Sequence, residues 1–332
     1  MSLNPFDDFR VLFDSLPEKD DFAASLVKKR LLELSYPKGS LCGIGDLKKI
    51  LTWYAAWRGS ENIRIDKPTI AVYAGSQGIL GNSEQVKKVV LNLQTAGSML
   101  NGFCAEYGVT LRVYDLALDY PTMDISVDAA MDERGCAATM AFGLESIADN
   151  VDLLGVASVR YGTVPYSEAC LAMKILGGQI TDWLPESCSH EDIERANVIL
   201  SYHECDADAD SFNLLRRFGS RELAAITGAI LSTRMERVPI VLEGYSSLIA
   251  AALLKRVSPK AIEHCIIAQV PQSDQRYQRL IEYLDIPVMF DFCVDDNLGV
   301  NLPLALSLIK GAIRSFLNAK TFDQSEADIR NN

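Results

Sequence analysis

The sequence has 332 residues, 48% of them hydrophobic and 23% charged, which is typical of a globular chain and excludes a fibrous or disordered protein. Its formal net charge of −12 repels phosphate backbones and anionic lipid surfaces, so neither nucleic acid nor a membrane is expected as a partner. No apolar run reaches the ~18 to 20 residues of a membrane span, and the N-terminus has no leader pattern, so the cytoplasm is the expected location.

Amphipathic patterns predict helices at both ends of the chain. Apolar residues recur at helical spacing over Asp21–Leu34 and again over Asp46–Trp57. A last helix, Leu302–Phe316, is apolar on most faces and is expected to pack with this pair into a small bundle. The sequence therefore predicts a small helical domain made of residues 1–62 and the C-terminal helix at 300–320.

Between these ends, short apolar runs alternate with longer amphipathic stretches. Near-continuous apolar runs are typical of strands covered on both faces, and their alternation with helices favours a parallel sheet with right-handed crossovers. Residues 63–299 are therefore expected to form a Rossmann-like α/β domain, whose doubly wound, mainly parallel sheet has about six strands. Residues 321–332 are expected to form a frayed tail. The predicted strands are Thr69–Ala74, Thr110–Leu116, Asp152–Ala157, Val238–Leu242, Cys265–Val270 and Pro287–Phe292.

The segments between the predicted strands mostly carry helical periodicity. The stretch from residue 186 to 213 differs, because it is acidic and weakly periodic, and it is expected to be a mobile surface segment around one short helix. The predicted crossover helices are Gln85–Tyr107, Glu133–Ala148, Tyr166–Leu176, Arg221–Met235, Ser246–Lys255 and Asp274–Leu284.

The loops that follow the strands are the expected place for a ligand. In a doubly wound sheet, ligands bind in the crevice outside the carboxyl ends of the strands. These loops lie at 75–78, 158–164, 243–246, 271–274 and 293–299. The rule predicts a location but no reaction.

Several segments carry motifs in a fixed order. Tyr36–Leu41 reads Y-P-K-G-S-L, Asp152–Val156 reads D-L-L-G-V, Leu214–Ile230 ends in R-E-L-A-A-I-T-G-A-I, and Arg237–Tyr245 reads R-V-P-I-V-L-E-G-Y. In the same order they resemble K-P-P-G-S-L-G, the strand entering G-E-M-G-I-G-N-T-T, L-G-G-x-E-I-A-A-M-A-G-A-I and R-x-P-V-L-L-D-G-F of the nicotinate-nucleotide:dimethylbenzimidazole phosphoribosyltransferase family. The resemblance covers nearly all of the chain.

This resemblance implies a Rossmann-like domain with a small helical domain, assembled as a dimer. It also implies a reaction of cobalamin biosynthesis: transfer of the phosphoribosyl group of nicotinate mononucleotide to 5,6-dimethylbenzimidazole or a related aromatic base. The product is α-ribazole 5′-phosphate, and no metal or redox cofactor is implied. By position, the candidate substrate-binding residues are Gly39, Ser40, Ser76, Gln77, Ser158, Gly162, Thr163 and Glu243.

Several catalytic positions of the family are replaced in this chain. The family's general base, the glutamate of R-L-G-E-G-T-G, corresponds to Asn297, whose amide does not accept a proton at neutral pH. Asp295 or Asp296 is the alternative, as a displaced base. Pro165 removes an N–H donor from the phosphate-binding loop. Glu186 adds negative charge to the segment that corresponds to the family's second phosphate loop, G-R-G-T-G.

Three functions stay open on the sequence alone. The chain is an enzyme of the family with weak or altered activity, or a catalytically silent paralogue that pairs as a heterodimer with an intact homologue, or a nucleotide- or base-binding protein. A dimeric fold permits the second, because one chain can keep the interface while its partner keeps the chemistry. Glu243 likewise has two interpretations, as a contact to a ribose hydroxyl or as a helix cap.

Overall fold

The fold is built on one parallel sheet. The computed structural model describes residues 4–34, 45–159, 161–162, 164–204, 209–271, 273–290 and 298–330. Within these ranges six strands pair in parallel in the order β2-β1-β3-β4-β5-β6, which confirms the predicted doubly wound sheet. The strands are β1 (Pro68–Ala74), β2 (Thr110–Asp115), β3 (Leu153–Val159), β4 (Ile240–Leu242), β5 (Cys265–Gln269) and β6 (Val288–Phe290).

The central strands β1 and β3 are buried along their whole length. Successive side chains of a strand point to opposite faces, so Ile70 and Val72 enter one hydrophobic cluster while Ala71 and Tyr73 enter the other. Both faces therefore need apolar residues, which explains the uninterrupted apolar run in the sequence.

Helices cover both faces of this sheet. Helices α2 to α5 and α13 contribute to the cluster on one face, and α6 to α12 contribute to the cluster on the other. No helix in the described ranges is both long and apolar enough to cross a membrane. The helices are α1 (Asp7–Leu12), α2 (Asp21–Leu34), α3 (Leu47–Arg58), α4 (Ser83–Gln94), α5 (Met99–Tyr107), α6 (Glu133–Gly143), α7 (Tyr166–Leu176), α8 (His190–Tyr202), α9 (Ser211–Phe218), α10 (Arg221–Met235), α11 (Tyr245–Val257), α12 (Gln275–Leu284), α13 (Asn301–Asn318) and α14 (Phe322–Arg330).

The terminal helices share a core with the sheet. Val27 of α2, Leu51 of α3 and Ile313 of α13 are buried in the same hydrophobic cluster as β1 and β3. Leu302 of α13 lies so close to Gly155 of β3 that a Cβ there would be 3.2 Å from its side chain. These contacts bring both chain ends together as expected, and the division into two domains at residue 62 stays a prediction.

One helix prediction is wrong at its centre. The stretch Gln85–Tyr107 forms two helices, α4 and α5, instead of one. Ala96 between them has a φ of 57°, which a helix does not allow. Ser98 then starts α5 with a capping box, since its hydroxyl accepts from the backbone of Asn101.

The acidic stretch 186–213 is more helical than expected. It contains the thirteen-residue helix α8, which Ser189 caps and whose Ile199 is buried, and the start of α9. Capping and the burial of a few side chains stabilise α8, and periodicity alone does not register them. The tail contains the exposed helix Phe322–Arg330, and its fraying stays a prediction.

The buried arginine Arg234 fixes the N-terminal segment to the end of α10. Its side chain is 0% exposed, and its guanidinium lies 4.4 Å from the ring centre of Trp57. Nε donates to the carbonyl oxygen of Lys260 at 2.7 Å, and Nη1 donates to that of Pro17. Only a planar, multidentate cation serves these partners together.

Helix α10 is buried between the sheet and α6, where backbone meets backbone. A Cβ at Gly228 of α10 would overlap the carbonyl oxygen of Met140, and one at Gly143 of α6 would overlap that of Ala225. Glycine at both positions therefore sets the distance between the two helices.

The variant Gly228→Ala is expected to lower the free energy of unfolding by about 1 to 3 kcal/mol, because α6 must move away. Gly311→Ala on α13 is the matched control, since a Cβ at this exposed helical glycine meets nothing within 4 Å. It is expected to stabilise by about 0.5 to 1 kcal/mol. Urea unfolding measures the free energy of unfolding of both variants. Equal changes in the two variants would contradict the close packing of α6 and α10.

Candidate active site

The candidate site lies where the strand order reverses. Strand β1 pairs with β2 on one side and with β3 on the other, so the chain leaves the carboxyl ends of β1 and β3 in opposite directions. Ala74 and Val159 end these two strands side by side. Such a switch point opens a crevice between the two following loops, which is where doubly wound sheets bind ligands.

The polar side chains of the turn after β1 form hydrogen bonds within the protein. The buried Ser76 donates its hydroxyl to the carbonyl oxygen of Leu118 at 3.0 Å. The buried Gln77 donates from Nε2 to Glu222 Oε1 at 3.3 Å and accepts from the Ser167 hydroxyl at 3.3 Å. Both predicted binding side chains therefore already hold the turn in place.

Asn82 joins this turn to the loop after β3. Its Oδ1 accepts from the backbone N–H of Gln77 at 3.0 Å, and its Nδ2 donates to the carbonyl oxygen of Tyr161 at 2.9 Å. Gly162 follows with a φ of 128°, a conformation that favours glycine. The predicted residue Ser158 lies nearby, buried on β3 opposite Tyr73. The structure thus brings Gln77, Ser158 and Gly162 together at the carboxyl ends of β1 and β3.

Two glutamates are buried beneath the same turn. Glu222, at the start of α10, and Glu168, in the first turn of α7, are 4% and 3% exposed. Glu168 accepts from the Ser246 hydroxyl at 2.7 Å. Oε2 of Glu222 has no hydrogen-bond partner among the described residues and lies against Gly75, where a Cβ would overlap it.

The surroundings of Glu222 favour its neutral form. Burial raises the pKa of Glu222 to about 7, and the charge of Glu168 acts in the same direction. Hydrogen bonds from its own backbone N–H, from Gln77 and from Ser220 oppose these effects but do not offset them. A carboxyl group of this kind exchanges its proton near neutral pH, as catalytic carboxyl groups do.

Glu243, at the end of β4, holds the start of the last long helix. Its Oε1 accepts from the backbone N–H of Asn301 at 3.3 Å and from the side-chain amide at 2.8 Å. A carboxylate at a helix N-terminus is favoured by the helix dipole. Glu243 therefore caps a helix, although it is α13 and not the helix that follows it in the chain.

The loop that contains Glu186 borders a cleft of about 390 Å³. Arg276 and Arg279 of α12 line it, but Arg276 binds Asp274 at 2.9 Å and Arg279 binds Asp182 at 3.0 Å. With Glu186, three carboxylates stand against two guanidinium groups. This cleft therefore offers no net positive charge to a phosphate.

Five predicted site residues lie outside the part of the chain that the structure describes. They are Gly39, Ser40, Thr163, Asp296 and Asn297.

No set of three or more histidine, cysteine and acidic residues within the described ranges is placed to hold a metal ion.

A family model described as phosphoribosyltransferase matches residues 16–327. The chain belongs to this phosphoribosyltransferase family. The nicotinate-nucleotide–dimethylbenzimidazole phosphoribosyltransferase of Allorhizobium ampelinum is 36% identical, over 97% of this chain and 96% of that protein. The protein of the same name from Brucella anthropi is 34% identical over the same shares. The crystal structure of such a phosphoribosyltransferase from Thermus thermophilus superposes with a TM-score of 0.80 at 19% identity, covering 92% and 98% of the two chains.

Sequence reasoning missed the residues that build the buried part of the site. Glu222 stands in the segment that resembles the family's L-G-G-x-E motif, yet its carboxyl group is directed at a turn 145 positions earlier in the chain. Glu168 and Asn82 belong to no quoted motif. A glutamate early in an otherwise apolar helix was the available signal for Glu168.

Glu222 is expected to make folding stability depend on pH. The folded protein keeps the proton up to a pKa of about 7, while the unfolded chain releases it near 4.5. The stabilisation is therefore complete below pH 4.5 and is lost as the pH rises to about 7, by roughly 3 kcal/mol. Glu222→Gln removes this dependence. Chemical unfolding of both chains between pH 5 and 8 measures it, and a constant difference between them would contradict it.

Proposed function

We propose that this chain transfers the phosphoribosyl group of nicotinate mononucleotide to 5,6-dimethylbenzimidazole or a related aromatic base, giving α-ribazole 5′-phosphate for cobalamin biosynthesis. The observation that carries this proposal is that relatives named for that activity align with 97% of the chain at 34 to 36% identity. The family match over residues 16–327 includes every strand of the sheet and the helices from α2 to α13.

The geometry of the crevice supports the proposal. The transfer requires a place where an aromatic base faces C1′ of the ribose, and the switch point between β1 and β3 is the natural binding place of the fold. Gly162, in the loop after β3, has a φ of 128° that favours glycine, and Gly78, in the turn after β1, packs against the backbone of Thr122. The buried carboxyl groups beneath the turn supply ionisable chemistry there.

The proposed chemistry needs positioning more than activation. In nicotinate mononucleotide the pyridinium is already a good leaving group. The bond between its nitrogen and C1′ breaks, and it departs as the nicotinate anion with a neutral pyridine ring, while the base nitrogen bonds to C1′. The protein holds the phosphate, aligns the base and accepts one proton. We propose no metal or redox cofactor for this reaction.

The replaced positions predict weak catalysis by this chain alone. Asn297 stands where the family has its general base, and Ser158 where it has a second glutamate. Glu186 adds negative charge at the acidic cleft described above. Losing a positioned base typically lowers the rate about 10²- to 10⁴-fold.

Asn297→Glu is therefore expected to raise turnover of nicotinate mononucleotide with dimethylbenzimidazole by about 10²-fold or more. Asn297→Gln is the matched control, because glutamine has the size of glutamate but no carboxylate. This variant is expected to change turnover little. Fast turnover by the natural chain that vanishes in Asp296→Asn would place the base at Asp296. Fast turnover that survives every change would refute the assignment, and no turnover in any variant would favour the silent paralogue.

We also propose that the chain works as a homodimer in the cytoplasm, or pairs with an intact homologue. Phe22 of α2 and Leu317 of α13 are 72% and 47% exposed, and large apolar side chains on the terminal helices are candidates for burial in an interface. We retain the small helical domain of residues 1–62 and 300–320 as part of this proposal.

Sedimentation at micromolar concentration is expected to give twice the chain mass of 36.6 kDa. Phe22→Ser and Leu317→Ser together should shift the mass toward the monomer, because they remove apolar area from the proposed interface. The natural chain sedimenting as a monomer at all concentrations would contradict the homodimer.

A further inference from the structure

The turn after β1 rests directly on Glu222. Oε1 of Glu222 accepts from the Gln77 side chain, and Oε2 lies against Gly75, where any Cβ would overlap it. Gln77 continues the chain of contacts, because its backbone N–H donates to Asn82, which also holds the loop after β3. A change at this carboxyl group therefore reaches both loops that border the crevice.

The charges around Glu222 make its ionised form unfavourable. Among the described residues, the charged groups that act on it are Glu168 of α7 and Arg221, its half-buried neighbour on α10. Strand β1 and its turn present only Gly75 and the neutral Gln77, and α11 presents the Ser246 hydroxyl, which already serves Glu168. An ionised Glu222 would thus face a second buried carboxyl group with no fully buried cation beside it.

We propose that Glu222 is a positioning residue for substrate binding, which holds the turn after β1 as the neutral acid and releases it when ionisation sets it against Glu168. The positioning part rests on the proposed function, whereas the effect on the turn does not. Glu222 acts through Gln77 and Asn82 and is not assigned a contact to substrate.

The proposal predicts by how much substrate binding weakens as the pH rises. With a pKa of about 7, Glu222 keeps its proton in most molecules at pH 6 and in about 3% of them at pH 8.5. Because only the neutral form holds the crevice, the apparent dissociation constant of nicotinate mononucleotide should rise about 30-fold across that range.

Calorimetry with nicotinate mononucleotide at pH 6 and 8.5, on the full natural chain and three variants, tests this. Glu222→Gln, a permanent neutral mimic, should abolish the alkaline rise, and Glu168→Gln should reduce it by removing the opposing charge. Glu236→Gln, at the exposed far end of α10, should leave the rise as it is. Binding of Glu222→Gln that still weakens about 30-fold would overturn the proposal.

Turnover separates positioning from catalysis. If Glu222→Gln lowers kcat by about 10²-fold or more at pH 8.5, where Glu222 is ionised, while KM stays constant, Glu222 is a proton acceptor and the positioning role is wrong. If the variant changes mainly KM and its pH profile, the positioning role is supported.

Hydrogen exchange of peptides covering residues 75–82 provides a readout without substrate. After correction for the intrinsic pH effect, exchange should accelerate between pH 6 and 8.5 in the natural chain and not in Glu222→Gln. The same result without any binding of nicotinate mononucleotide would refute the proposed function and leave the link between Glu222 and the turn intact. Equal exchange in both chains would overturn the inference, whatever the turnover.

Discussion

The close contact between α6 and α10 is the constraint on which the arrangement of the site depends. Gly228 and Gly143 let the two backbones touch, so α10 lies pressed between α6 and the sheet. In that position the start of α10 lies directly beneath the end of β1, and Glu222 is almost completely buried. The packing of a helix pair thus determines the electrostatics of the crevice, since a carboxyl group without water around it holds its proton more tightly.

The local pattern of apolar residues was sufficient to predict the strands of the sheet, because helices cover both of its faces. A strand that must be apolar on both sides leaves a run such as Thr69–Ala74, which no amphipathic helix imitates. The same reasoning failed over Gln85–Tyr107, where the backbone turns at Ala96. Gly97 and Ser98, which follow it, are residue types typical of a turn and of a helix start, but the apolar periodicity on both sides outweighed them.

The location of the candidate site could be predicted from the sequence, but the hydrogen-bond partners of its side chains could not. The end of β1 follows from the strand pattern, and polar residues after a strand favour a binding role for Ser76 and Gln77. Their hydrogen bonds instead reach Leu118, Ser167 and Glu222, which are distant in sequence. Partners of this kind are set by the packing of whole helices, and a single sequence does not encode them in any short window.

The position of α13 has a consequence for how the chain is made. Leu302 and Ile313 of this helix cover the same sheet face as Leu51 of α3, so that face receives its last cover from the final tenth of the polypeptide. During synthesis the strands emerge well before α13, and Ile70 and Leu153 face water or a chaperone until translation is nearly complete. A ribosome that stops short of residue 301 would therefore release a sheet with part of one apolar face uncovered, which is a substrate for aggregation and proteolysis, not a smaller working protein.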